Sequence, residues 1–171
     1  AVHRLGREGL PVQANVAVAA DVGRMVAQVL ERLGQIDVLV NNATLHRGRR
    51  VHRLPESDWD AVIDSCLKGA YHCCHHVVPH MLERGSGRII NISYVVGLTG
   101  WPGDTAYGAA KAGLIGFTRS LAKEVAAYGV TANVVVPGYV RTDMTAALTP
   151  KNIEQMLALI TLSRAGEPHE V

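Results

Sequence analysis

Cysteine is scarce in this chain: Cys66, Cys73 and Cys74 are all it has. Three thiols make no paired framework, so no disulfide scaffold organises the fold, and a reducing cytosol is the expected compartment. No apolar run approaches the roughly 20 residues of a membrane span, and Ala1-Val2-His3-Arg4 carries no secretory hydrophobic segment. Neither sign of charge is in excess. Lys and Arg number 17 against 15 Asp and Glu, a formal net charge of +2, which gives no argument for nucleic acid. Internal repeats and low-complexity linkers are missing too. What is there is a chain of 171 residues, 48% hydrophobic and 19% charged. That is ordinary for an α/β protein and enough for one domain with a single core.

Strand-like and helix-like patterns alternate along it. Residues 1–9 read as the polar end of a helix closing at Gly9, and Leu10 to Val18 as a short strand, about 11–16. Asp21 is the expected N-cap of a helix whose apolar residues Val22, Met25, Val26, Val29, Leu30 and Leu33 recur at helical spacing, with Gly34 as C-cap. Ile36 to Val40 reads as a buried strand running into Asn41-Asn42. Ser57 and Asp60 suggest a capping box at the head of a long helix reaching about Glu83. Its stripe is Val62, Ile63, Cys66, Ala70, Cys73, Val77 and Met81, and Pro79 should bend it. Gly85-Ser86-Gly87 marks a turn and Arg88 to Ser93 a strand. Asp104 is a candidate cap for the next helix, which carries Leu114, Phe117, Leu121, Val125 and Tyr128. Val130 to Val136 is another strand, and Thr142 to about Leu159 one or two short helices. The alternation predicts a parallel sheet with helices on both faces.

Two clusters invite a functional reading. The basic run from His46 to Arg53 is either a solvated loop, as charge runs usually are, or a docking patch for an acidic partner such as an acyl carrier protein. His72, His76 and His80 follow one another at i+4, which suits a metal. No Asp, Glu or Cys joins that row at ligand spacing, so no metal is expected.

The stretch with the most chemistry runs from Ile89 to Lys111. The strand Ile89-Ile90-Asn91-Ile92 is followed by a Gly-rich turn region, Gly97 to Gly103, and then by Tyr107-Gly108-Ala109-Ala110-Lys111. On a helix, Tyr107 and Lys111 share one face. An ammonium one turn from a phenol favours the phenolate, which predicts a Tyr107 pKa below the usual value of about 10 and a workable acid/base pair.

With Asn41-Asn42-Ala43 upstream and Pro137-Gly138-Tyr139-Val140-Arg141-Thr142 downstream, this stretch resembles the NNAG, YxxxK and PGxxxT elements of the classical short-chain dehydrogenase/reductase family. Its 3-oxoacyl-(acyl carrier protein) reductase-like members are the nearest match, from about Leu10 to Val171. The resemblance implies a three-layer Rossmann-type fold with NADP(H) or NAD(H) as cofactor. It also implies a small-molecule or acyl-thioester carbonyl substrate, reduced to a hydroxyl by hydride transfer. By the same resemblance Tyr107 gives the proton to the carbonyl oxygen, and Lys111 lowers the Tyr pKa and holds the nicotinamide ribose. Asn15-Val16 matches the pair that touches the adenine, Asn42 and Ala43 run close to the cofactor, and Pro137, Gly138, Val140 and Thr142 border the nicotinamide and its phosphates. The helices of about 58–83 and 104–128 match those that pair subunits, implying a homo-oligomer or a hetero-oligomer with a related reductase.

Several positions depart from the family pattern. Tyr94 stands where the family has its catalytic Ser, with Ser93 beside it on the opposite side of an extended strand. Cys66 stands at the family Asn of the long helix, a poor hydrogen-bonding replacement. NNAG has become Asn-Asn-Ala-Thr44, which places a side chain where close backbone approach was wanted. No TGxxxGxG pyrophosphate fingerprint occurs. Aligned on its motifs, the chain is expected to be a single partial domain, residues 1–171, without the family's first two strands or its last. Strand 11–16 would then pair in a new way or lie loose. Two functions compete: a ketoreductase of impaired activity, and a non-catalytic subunit that pairs with an intact reductase through its two long helices.

Overall fold

The apolar runs centred near residues 39, 89 and 132 pair side by side. The computed structural model describes residues 6–146 and 148–171. In it, β1 (Val38–Asn41), β2 (Gly87–Ile92) and β3 (Val130–Val135) form a parallel sheet in the order β1-β2-β3. Parallel neighbours need long crossovers. The first runs through α2 (Glu56–Ile63), a π-helical turn (Asp64–Lys68) and α3 (Gly69–Arg84). The second runs through α4 (Val96–Thr99) and α5 (Thr105–Val125). Ahead of β1 lies α1 (Ala19–Leu33), and after β3 come α6 (Asp143–Ala146) and α7 (Pro150–Ala158). The result is a parallel sheet with helices around it, a partial Rossmann-like arrangement. Among the described residues no helix is long and apolar enough to cross a membrane.

The register sets Leu39 beside Ile89 and Ile89 beside Ala132. Side chains alternate along a strand, so these three share the face that also carries Asn91. That face joins Val22 and Val26 of α1, Cys73, Val77 and Met81 of α3, and Leu121 and Val125 of α5 in one core cluster. Burying each such aliphatic side chain contributes about 1.5–3 kcal/mol. Cys73 and Cys74 belong to this core, and burial pushes the Cys74 thiol up to about 12. Val38 and Val40 point the other way and are each 52% exposed. The reading of this segment as a buried strand therefore holds only on the side of Leu39.

Other expectations are corrected. The segment 11–16 is not a strand. A strand needs a ladder partner, and here the backbone groups find side chains instead: His72 Nδ1 lies 2.9 Å from the Val16 carbonyl oxygen, and the Asn15 N–H donates to Asp21 at 3.1 Å. Val16 lies against Gly69, where an added Cβ would sit 2.8 Å from Val16 Cγ2. Of the expected helix at 1–9, residues 1–5 lie outside the described residues, and Arg7 to Gly9 are not helical.

Capping chemistry also differs. α1 begins two residues before Asp21, with Val18 at its N-cap, and Asp21 reaches back to Asn15 from the first turn. Ser57 caps nothing, because α2 starts at Glu56 behind Pro55. Asp104 is at the N-cap of α5, but its carboxylate is drawn to His46. The stops at Gly34 and Gly85 are as expected, both with positive φ. Pro79 lies inside α3, and the irregular turn of this long helix is the π-helical stretch at Asp64–Lys68.

Candidate active site

The three strands end at Asn41, Ile92 and Val135, and the segments that follow them meet at one end of the sheet. In open parallel sheets this carboxyl end is where ligands gather. Asn42, Ala43 and Thr44 follow β1, Ser93 and Tyr94 follow β2, and Pro137 and Gly138 follow β3. The N–H of Val95 donates to the Pro137 carbonyl at 3.0 Å, tying the last two segments together.

The first turns of α5 present Tyr107 and Lys111 to this place. Both are buried, Tyr107 at 7% and Lys111 at 3% exposure. The Lys111 ammonium lies 5.4 Å over the Tyr107 ring and donates to the Ile92 carbonyl at 2.8 Å. The helix approaches α4 closely because Gly97 of α4 has no side chain: a Cβ there would stand 2.8 Å from the Lys111 carbonyl carbon and the Ala112 nitrogen. The expected lowering of the Tyr107 pKa is not found. Burial pushes the phenol up, opposed by a hydrogen bond from Thr44. Burial also pushes the Lys111 ammonium down. Both groups are biased towards their neutral forms because desolvation is the largest influence on each.

Around the phenol stand residues from four other segments. His46 sets its ring edge-on to Tyr107, centroids 5.2 Å apart, and its Nε2 is 2.8 Å from Asp104 Oδ1. That carboxylate raises the His46 pKa. Tyr94 lies 6.1 Å from Tyr107, ring to ring, and packs on the cluster of Val62, Cys66, Ala106 and Ala110. Burial pushes its phenol up, and Tyr107, Asp104 and Tyr139 act in the same direction. Thr44 Oγ1 is 3.5 Å from the Tyr107 oxygen and 3.3 Å from Cys66 Sγ. Cys66, in the π-helical turn, meets both the N–H and the carbonyl of Leu45 at 3.3 Å.

Ser93 is turned away. Its hydroxyl is buried and donates to the Lys111 carbonyl at 2.8 Å. Behind it lies a polar network that periodicity did not reveal. Asn91, fully buried, accepts from Asn41 Nδ2 at 2.7 Å and donates to Thr118 Oγ1 at 2.8 Å. The signal was legible, since Asn91 is the one polar residue in Ile-Ile-Asn-Ile. Nothing local in the sequence marks Thr44 or His46 as neighbours of Tyr107: their contacts with it span 63 and 61 residues.

The remaining sequence candidates scatter around this centre. Val16 and Ala43 line one small crevice with Cys66 and Gly69. Asn15 is exposed, and its carboxamide oxygen accepts from the Ala17 N–H at 3.0 Å in a local turn. Asn42 and Gly138 are exposed. Val140 forms a bridge with Gly166, and the Thr142 N–H donates to Thr145 Oγ1 at 2.9 Å at the head of α6. In the basic loop, His46 meets Asp104, while Arg47 and Arg49 lie 3.9 and 3.8 Å from Asp58. Much of its charge is thus answered within the chain. On α3, the His72 ring is held by Val16, and no group of three or more His, Cys, Asp or Glu able to hold a metal occurs among the described residues.

Comparison with known proteins agrees with this arrangement. The model of the family described as short chain dehydrogenase matches residues 1–153. Among similar proteins are the 3-oxoacyl-[acyl-carrier-protein] reductase FabG of Staphylococcus aureus, 46% identical over 166 residues, and the 3-oxoacyl-[acyl-carrier-protein] reductase of Synechocystis, 49% identical over 166 residues. Each alignment covers 97% of this chain, and respectively 68% and 66% of the relative. FabG of Thermotoga maritima is 44% identical over 169 residues, covering 96% of this chain and 69% of its own length. The chain thus spans about two thirds of the length of these curated relatives, of oxidoreductase lineage throughout, and it belongs to the short-chain dehydrogenase/reductase family.

Proposed function

We propose that this chain carries the proton-donating half of an NAD(P)H-dependent reductase that turns a ketone or 3-oxoacyl group into a hydroxyl. The observation that supports this most is Tyr107 beside Lys111 at the carboxyl end of the parallel sheet, with the ammonium 5.4 Å over the ring. Tyr107 is the acid. Burial keeps its phenol protonated, the form required to give a proton to a carbonyl oxygen as that oxygen gains charge. Lys111 uses one donor on the Ile92 carbonyl, and an ammonium has three, so the remaining two suit the paired hydroxyls of a ribose. Those donors fit the nicotinamide half of NADP(H) or NAD(H), with Asn42, Ala43, Pro137, Gly138, Val140 and Thr142 around it. Asn15 and Val16 belong to the adenine side. When bound, such a cofactor supplies the hydride; the chain orients and polarises.

The substrate in this reading is a small carbonyl compound or an acyl thioester, by analogy with the named relatives. The protein is cytoplasmic and pairs through the helices of about 58–83 and 104–128, on which Trp59 and Tyr71 are exposed. A second reading, a non-catalytic subunit paired with an intact reductase, is favoured by the Tyr94 ring packed beside Tyr107 where the family keeps a small hydroxyl.

The test is titration of the chain with NADPH and NADH, followed by nicotinamide fluorescence and calorimetry, alongside Lys111→Met. Saturable micromolar binding that the variant loses supports the reductase. No binding up to millimolar cofactor removes it and leaves the subunit reading.

A further inference from the structure

Thr44 stands at a position where the family pattern has glycine, and its hydroxyl faces the two side chains nearest the chemistry. Its Oγ1 is 3.3 Å from Cys66 Sγ and 3.5 Å from the phenol oxygen of Tyr107. Cys66 is already engaged. Its thiol accepts from the Leu45 N–H and donates to the Leu45 carbonyl, both at 3.3 Å. A thiol has one proton. With that proton given to Leu45, Cys66 has none to offer Thr44. The Thr44 hydroxyl also has a single proton, and it is the phenol oxygen that it faces as donor, while Cys66 and Leu45 fix where Thr44 stands.

We propose that Thr44 is a positioning residue for Tyr107, its hydroxyl donating to the phenol oxygen and holding it more firmly once the proton has left. A hydrogen bond to a charged acceptor is about twice as strong as one to a neutral acceptor, so a contact that is long in the neutral pair tightens on the phenolate. The bond also opposes the effect of burial on the phenol, in the direction the structure shows. The inference deepens the reading above, in that it takes Tyr107 as the acid, but it can be read without cofactor or turnover.

The groups facing the phenol must be held constant in a test. They are Lys111 on α5 itself, Asp104 at its head, His46 from the loop after β1, Cys66 from the π-helical turn and Tyr94 after β2. Thr44→Val removes none of these charges and keeps the branched shape.

The five tyrosines are replaced by difluorotyrosine, which acidifies every phenol into the range where the fold persists. Their titrations are followed by fluorine NMR, with Tyr107 assigned through Tyr107→Phe. Thr44→Val should move the Tyr107 titration up by roughly half a unit to one unit, the worth of one net hydrogen bond. Thr44→Ser should leave it near the parent. An unmoved titration in Thr44→Val overturns the proposal, and so does a Thr44→Ser shift as large as that of valine. Loss of cofactor binding with the Thr44 effect intact would instead count against the reductase reading alone.

Discussion

The Ser93 hydroxyl donates to the main-chain carbonyl of Lys111 at 2.8 Å. It ties β2 to the same turn of α5 that presents the Lys111 ammonium, and it points into the protein rather than towards Tyr107. Ser93→Ala should therefore lower stability by about 1 kcal/mol, the net worth of a buried hydrogen bond, and leave the Tyr107 titration where it is. Urea unfolding and the fluorine titration measure the two separately. A stable variant with a shifted phenol would mean that Ser93 serves the site after all.

Asn91 joins β1 to α5 through Asn41 and Thr118, and Thr118 in turn donates to the Leu114 carbonyl. Replacing Asn91 with Leu strands the Asn41 amide, whose other partner is the sulfur of Cys74 at 3.5 Å. The expected loss is about 2 kcal/mol. Thr118→Val breaks the same network from the other end, so the double variant should cost less than the sum of the singles. Strict additivity in denaturant unfolding would show that the two bonds are independent.

Most of the scaffold was legible because its signals are local. The stripe of Val22 and Val26, the stop at Gly34, and the apolar runs that became β2 and β3 need only nearest neighbours along the chain. So does the spacing that puts Tyr107 and Lys111 on one helical face. Segment 11–16 has a strand's composition but not a strand's structure, since a ladder requires a partner that composition does not report. Asp104 has a cap's identity and spends its carboxylate on His46, 58 residues away. The Tyr107 phenol shifts opposite to the sequence expectation for a related reason. The sequence shows the Lys111 charge but not the burial against Tyr94, Cys66 and Ala106 that sets the direction.

His46 carries a pH dependence of known sign. Asp104, bonded to it at 2.8 Å, raises its pKa above the ordinary 6.5. A raised folded value means that the protonated ring is bound more tightly in the native state. The stabilisation is complete below the unfolded value and is lost as pH rises through the folded one. The ring is 40% exposed, so solvent screens the pair and the effect is small. The excess stability of the parent over His46→Gln should shrink as pH rises from the ordinary 6.5 through the raised folded value, and Asp104→Asn should abolish that trend. A gap that widens with pH would reverse the assignment.

Tyr94 sets the sharpest conflict between stability and chemistry. Its ring packs on Val62, Cys66, Ala106 and Ala110 and helps to bury Tyr107. Tyr94→Ser removes that packing, and a half-buried ring should cost about 2 kcal/mol, below the 3–5 of a fully buried one. The same change lets water reach the phenol of Tyr107, so desolvation, the first cause of its raised pKa, weakens and the titration falls towards the ordinary value. It also places a small hydroxyl where the substrate carbonyl would lie in the reductase reading, and one such donor is worth about 3 kcal/mol to a developing oxyanion. Joined to the remaining third of a relative's length, the Tyr94→Ser chain should reduce a 3-oxoacyl thioester faster than the Tyr94 parent, despite its lower unfolding midpoint. Slower or equal turnover with a lowered Tyr107 titration would show that the ring at 94 is compatible with catalysis, and that the departure from serine is not what limits this site.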